Sequence, residues 1–124
     1  MESIIERKSY EFALMCIKAG KKIQKEKIDF FISQQLIKSS TSIGANIREA
    51  NSGESIKDFV HKMTIALKEA AEANYWCCLL RDSEMLPKET GQSLVSKSHE
   101  VRLILGKIVS TTRAKIKVSQ SGQK

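Results

Sequence analysis

The chain has 124 residues, 41% of them apolar and 28% charged, with one proline, six glycines and a net charge of +7. That length fits one domain able to bury roughly two-thirds of the surface its unfolded form exposes, and the wealth of helix formers excludes a disordered chain and a β-sandwich. The longest apolar run, about six residues, falls far short of the roughly 20 that span a bilayer, so no membrane is expected as a partner.

Ser3-Ile4-Ile5-Glu6 is a capping-box pattern, in which a serine oxygen and a glutamate carboxylate satisfy amides orphaned at a helix start. Ile5, Ser9, Phe12, Cys16, Ala19 and Ile23 then recur at four-three spacing, which predicts a first helix over about 3–25. Asp29 is the expected N-cap of a second helix over about 30–50, with Leu36, Ser40, Ile43, Ile47 and Ala50 on one seam. Asn51-Ser52-Gly53 should stop it, the glycine supplying a left-handed residue.

Ser55-Ile56-Lys57-Asp58 repeats the capping pattern and opens the longest predicted helix, about 55–85. Phe59, Met63, Ala66, Ala70, Ala73, Cys77 and Leu80 form its seam, Val60, Leu67, Ala71 and Cys78 a stripe beside it, and Ile65, Trp76 and Leu79 a third apolar direction. A helix apolar on most of its circumference is buried on most of it, which in a small domain predicts contact with a second copy. Leu86-Pro87 ends it and starts a fourth helix over about 88–117, with Leu94, Ser98, Val101, Leu105, Ile108 and Thr112 on its seam and Ile104 and Val109 alongside. Residues 119–124 have no periodicity and are expected to be a mobile tail.

Four amphipathic segments with short connections predict an all-α fold, an antiparallel up-down-up-down left-handed four-helix bundle in one domain over 1–118. Three cysteines, Cys16, Cys77 and Cys78, make an odd number with two adjacent, and the simplest setting for them is a reducing cytoplasm.

Catalytic chemistry finds little support. Gly44 lacks the second glycine and the lysine of a phosphate loop and lies inside a helical repeat. Ser42 has only His61 and His99 as imidazole candidates for a base, neither with an acidic orienting partner at useful spacing. Glu69 and Glu72 sit three apart off the main seam, where an ion-pairing face is the simpler reading; no Glu-x-x-His pair occurs, and Cys77-Cys78 lacks a second ligand pair, so no metal or cofactor is expected. An enzyme would need Asn46, Glu49, Glu69 and His61 to converge in one pocket.

Charge is the live signal. Residues 1–90 carry 14 basic and 13 acidic side chains, residues 91–124 seven and one. Lys21, Lys22 and Lys25 on the first helix and Lys97, Arg102, Lys107, Arg113, Lys115 and Lys117 on the fourth are the candidate contacts to RNA or DNA phosphate, which needs only positive charge in reach. Tyr10, Tyr75 and Trp76 do not interleave with them, so such binding would be directed at the backbone and sensitive to salt. The alternative is a scaffold or adaptor for a protein partner, with charge serving solubility or docking.

Ser42-Ile43, Asn46-Ile47-Arg48-Glu49-Ala50, Asp58-Phe59, Ile65-Ala66-Leu67-Lys68-Glu69-Ala70, Tyr75-Trp76 and Leu79-Leu80 resemble the bacterial four-helix bundle proteins named after reading frames in 23S rRNA intervening sequences. Arg48 and Ala50 depart from the family's usual alanine and glycine. The resemblance implies a homopentameric ring with no established enzymatic activity, related to the accessory variability protein of diversity-generating retroelements, a basic pentamer that binds nucleic acid and a reverse transcriptase. Within the stretch, Ser42, Gly44 and Ala45 read as close-packing residues and Asn46 as the partner of a buried polar group on another helix. On that reading a bulky Gly44→Leu change overpacks the bundle.

Overall fold

The computed structural model describes residues 2–27 and 29–121, and among these all regular structure is helical. The helices are α1 (Ile4–Lys25), α2 (Phe31–Asn51), α3 (Ile56–Asp82) and α4 (Lys88–Ser121). Each packs against the next in the chain and α1 also packs against α4, while α1 with α3 and α2 with α4 make no backbone approach among the described residues. Such a closed square of neighbours puts one core on the central axis, where Phe12, Leu36, Ile43, Ile47, Met63, Leu80, Leu94 and Leu105 lose essentially all contact with water.

The helix starts follow the expected chemistry, with changes of partner. The Ser3 hydroxyl accepts from the Glu6 amide at 3.2 Å, and the Ser55 hydroxyl from the Asp58 amide at 3.1 Å. The Glu6 carboxylate, expected to reach back over its own helix start, instead accepts from Asn51 Nδ2 at the end of α2. The N-cap of α2 is Phe30 and not the expected Asp29, but the Asp29 carboxylate, one residue earlier, still accepts from the Ile32 amide at 2.6 Å.

Helix ends differ more. Gly53 does not take the left-handed conformation expected of it; the positive φ values belong to Lys27 (55°) after α1 and Glu84 (62°) after α3. Gly53 matters for space, since a Cβ there would lie 3.2 Å from the Ala50 carbonyl oxygen and 3.3 Å from Asp58 Cβ. α3 stops at Asp82, three residues before the expected boundary, as the chain turns through Glu84 to bury Leu86. α4 continues to Ser121, past the boundary near 117; residues 119–121 of the expected tail are helical, and residues 122–124 lie outside the described residues.

The thin helix of the bundle is α3, whose fully buried Ala66, Ala70 and Ala73 let its neighbours approach. Two other close approaches are glycines: a Cβ on Gly20 would sit 2.7 Å from Ile37 Cδ1, and one on Gly91 2.9 Å from Arg81 Cα and Cβ. Gly44 is not such a position. A Cβ there would meet only Ser9 Oγ, at an ordinary 3.6 Å, so alanine fits without forcing its neighbours apart.

Buried hydroxyls close the polar accounts of the core. Asn74 Nδ2 donates across from α3 to Ser98 Oγ on α4 at 2.8 Å, Gln24 Nε2 donates from α1 to Ser33 Oγ on α2 at 3.0 Å, and Ser39 and Ser40 donate to carbonyls of their own helix. Among the described residues every buried side-chain nitrogen and oxygen has a partner, as a low-dielectric interior requires.

Candidate nucleic-acid interface

The motif residues of α2 and α3 serve the bundle. Ile43 and Ile47 are fully buried and Phe59 packs, half-buried, on the core. Asn46 Nδ2 donates to the Ser42 carbonyl oxygen at 2.8 Å, a bond inside α2 and not the interhelical one expected. Glu49 pairs with Lys62 across the α2/α3 turn at 2.9 Å. Glu69 is half-buried, and burial first, then the nearby Glu72, push its carboxyl up against the opposing pull of Lys38. Glu72 accepts weakly from Trp76 Nε1 at 3.4 Å, and His61 is exposed. Asn46 and Glu49 thus bond to different partners, and no described hydrogen bond or ion pair joins either of them to Glu69 or His61.

Cys16, Cys77 and Cys78 are free thiols. Burial, then the adjacent Cys77, drive the Cys16 thiol far up, so it stays protonated and is a poor nucleophile or metal ligand. Among the described residues no group of three His, Cys, Asp or Glu side chains could hold a metal ion, and no helix is long and apolar enough to cross a membrane.

The nine candidate cations are all exposed, but they do not form one surface. Lys22, with Lys18, flanks a cavity between α1 and the start of α4 that Glu89 also lines. Lys97 lies 3.9 Å from Glu100, which also takes a hydrogen bond from Lys8 of α1. Further along, the α3/α4 face changes character. Arg102 and Lys107 border a groove with Lys68, floored by Leu67, Ala71, Leu103 and Gly106; Lys107 and Lys115 border the adjoining one beside Phe59 and Ile108. Neither groove has an acidic lining residue. Arg113 Nη2 donates to Thr64 Oγ1 of α3 at 3.2 Å, which holds its guanidinium along the same edge.

Lys68 escaped the sequence reading because only packing brings α3 beside α4. A signal was available, since Lys68 lies between Leu67 and Ala71, the stripe next to the main seam. Arg48, which departs from the family pattern, lies with its guanidinium 5.9 Å from the centre of the Tyr10 ring, a cation–π contact between α2 and α1.

A family model described as 23S rRNA-intervening sequence protein matches residues 1–107. The chain belongs to that family. A crystal structure of a protein with unknown function, from the S23 ribosomal protein family of Bacteroides thetaiotaomicron VPI-5482, is similar over 86% of this chain and 98% of its own, at 40% identity and a TM-score of 0.82. No curated protein matches. The bundle and its α2–α3 motif are therefore family features, whereas the part of α4 after residue 107 lies outside the family match.

Proposed function

We propose that this 23S rRNA-intervening sequence protein is a non-enzymatic, cytoplasmic homo-oligomer, a pentameric ring, that holds RNA or DNA by the phosphate backbone through exposed cations of α1 and α4. The observation that carries the nucleic-acid reading is the state of those cations. All nine are exposed, and among the described residues only Lys97 has a carboxylate within ion-pair distance. Phosphate binding needs such solvated, uncommitted charge and no base-reading geometry. The cytoplasmic setting is supported by three free thiols.

The connections of 26–30, 52–55 and 83–87, with contact between each helix and the next, support an antiparallel up-down-up-down order of left-handed twist within each copy. Assembly is supported by apolar side chains left outside the core on two faces. Tyr10 and Leu14 stand on the α1/α2 side; Phe31 and Tyr75, 65% and 58% exposed, stack edge-on around Trp76 on the α2/α3 side. Two unlike faces that meet between copies close into a ring when the rotation allows, and a ring repeats the cations so that weak contacts add.

Sedimentation velocity is expected to give a pentamer, and a monomer at micromolar concentration overturns the assembly. Retention of RNA or duplex DNA at low salt should be lost when Lys107, Arg113 and Lys115 are all changed to Glu, and unaltered retention overturns the binding. The adaptor reading has its own support in the α1/α2 groove bordered by Tyr10, Leu14, Ile17 and Gly44. One protein recovered stoichiometrically after nuclease treatment, and lost on Leu14→Glu, would favour it.

A further inference from the structure

We infer that the end of α4, residues 108–121, is an arm that grips the phosphate backbone of a nucleic-acid duplex, a site beyond the stretch matched to the family. The inference rests on the nucleic-acid reading above and narrows it to one place. Charge is the first reason. Residues 1–107, the extent of the family match, carry 17 basic and 14 acidic side chains, a net +3; residues 108–124 carry four basic and none acidic, a net +4. More than half of the protein's excess charge thus lies after the last residue matched to the family.

The second reason is where the fold puts that segment. At 34 residues α4 is about 51 Å long, whereas the 27-residue α3 beside it is about 40 Å. Through Val109 the helix buries a residue every three or four positions; after Thr112 every described residue except the half-buried Ile116 is exposed. The surface around Thr111, Ala114, Lys115 and Val118 is lined by α4 alone. Arg113, held at Thr64, marks the last side-chain hydrogen bond to the bundle, and Lys115 and Lys117 project beyond it.

The third reason is the fit to a duplex. Arg102, Arg113 and Lys117 are spaced by 11 and four residues, which keeps them on one side of the helix. The basic borders at Lys68, Arg102, Lys107 and Lys115 continue that charge onto the α3/α4 grooves, where no carboxylate intervenes. The α1 cations differ, since Glu89 shares the cavity of Lys22. Residues 102–121 contain no aromatic side chain, and Phe59 in the adjoining groove is half-buried against the core, which favours the phosphates of a duplex over the stacked bases of a single strand. Ile116 and Val118 are too few for the wide apolar face of a helix that lies in a membrane.

The test is fluorescence anisotropy of the full chain with a labelled 20-base-pair DNA duplex across a salt series, for the natural protein and three variants. The combined Arg113→Gln, Lys115→Gln and Lys117→Gln variant is expected to bind at least about tenfold more weakly at low salt, with the slope of log affinity against log salt shallower by about 2.7, at about 0.9 per lost phosphate contact. A Lys115→Gln, Lys117→Gln variant keeps the Arg113 bond to Thr64 and is expected to reduce the slope by about 1.8. Lys21→Gln, Lys22→Gln and Lys25→Gln together should weaken binding, but by less than the combined α4 variant does. If the α1 variant loses binding and the α4 variants do not, the arm is overturned and the nucleic-acid reading stands. If the natural protein binds neither the duplex nor single-stranded RNA, both fall. Tighter binding to single-stranded RNA, or to phosphatidylglycerol vesicles, than to the duplex overturns the assignment of the partner.

Discussion

One helix, α4, contains two regions that obey different rules. Over 91–109 it is a structural element: Gly91 lets the α3 backbone near Arg81 approach, Ser98 accepts from Asn74, and Leu94, Val101, Leu105 and Val109 form a buried stripe. Over 110–121 the same helix has almost nothing to bury and no acidic residue to balance its cations. The difference teaches that helical continuity and tertiary stability are separate properties. The helix runs to Ser121 although seven of residues 110–121 are Ser, Thr, Ile or Val, weaker helix formers than Ala, Arg, Lys or Gln, while packing ends about a dozen residues earlier, which leaves the distal cations in solvent.

The largest expected effect sets the core of α4 against its arm. Leu105→Ala removes a fully buried side chain and is expected to cost about 2–5 kcal/mol. Val118→Ala, at a side chain 72% exposed, should stay within about 0.5 kcal/mol. Urea denaturation of both variants checks this, and a large loss at Val118 would mean that the arm packs on something in solution.

Two glycines of α4 sharpen the contrast. Gly91→Ala drives a Cβ to 2.9 Å from Arg81 Cα, backbone that cannot swing aside, and is expected to destabilise by about 1–3 kcal/mol despite the better helix propensity of alanine. A Cβ on Gly106 meets nothing within 4 Å, so Gly106→Ala should gain up to about 1 kcal/mol. Gly44→Ala in α2 should behave like Gly106 and not like Gly91. Shifts of melting temperature in opposite directions are the readout.

The smallest effect concerns pH. A hydrogen bond from Lys8 holds the Glu100 carboxyl below the usual glutamate range, so folding gains from its ionised form above that range and loses the gain as pH falls through the lowered folded value. Lys8→Met should therefore lower the melting temperature at pH 7 and leave it nearer that of the natural protein at pH 3. An equal shift at both pH values would assign the effect to packing of the Lys8 stem.

The α2–α3 region was the most legible in sequence, because a 3.6-residue repeat of apolar side chains is itself a record of which face is buried. Leu36, Ser40, Ile43, Ile47 and Ala50 are all buried as the spacing predicts, and so are the α1 seam residues from Ile5 to Ile23. On α4 the seam drifted: Val109, expected beside the seam, is buried, while Ile108 and Thr112 on it are half-buried, since the exact line of burial follows the neighbour's direction. Asn46 shows the limit for polar groups, because its sequence cannot say whether its own helix or another supplies the acceptor.

The candidate site was legible as charge and illegible as place. Composition alone located the positive excess late in the chain, because charge is a sum over residues and needs no geometry. That Lys68 of α3 joins Arg102 and Lys107, while Lys22 shares its cavity with Glu89, depends on which helices touch. Local pattern carries four helices, the serine caps of α1 and α3 and the inward seams of α1 and α2, all set by interactions within a few residues along the chain. Packing between helices settles that Gly20 and Gly91 are close approaches and Gly44 is not, and that α4 outruns its neighbour. Those facts depend on distances between atoms far apart in sequence, which no local pattern encodes.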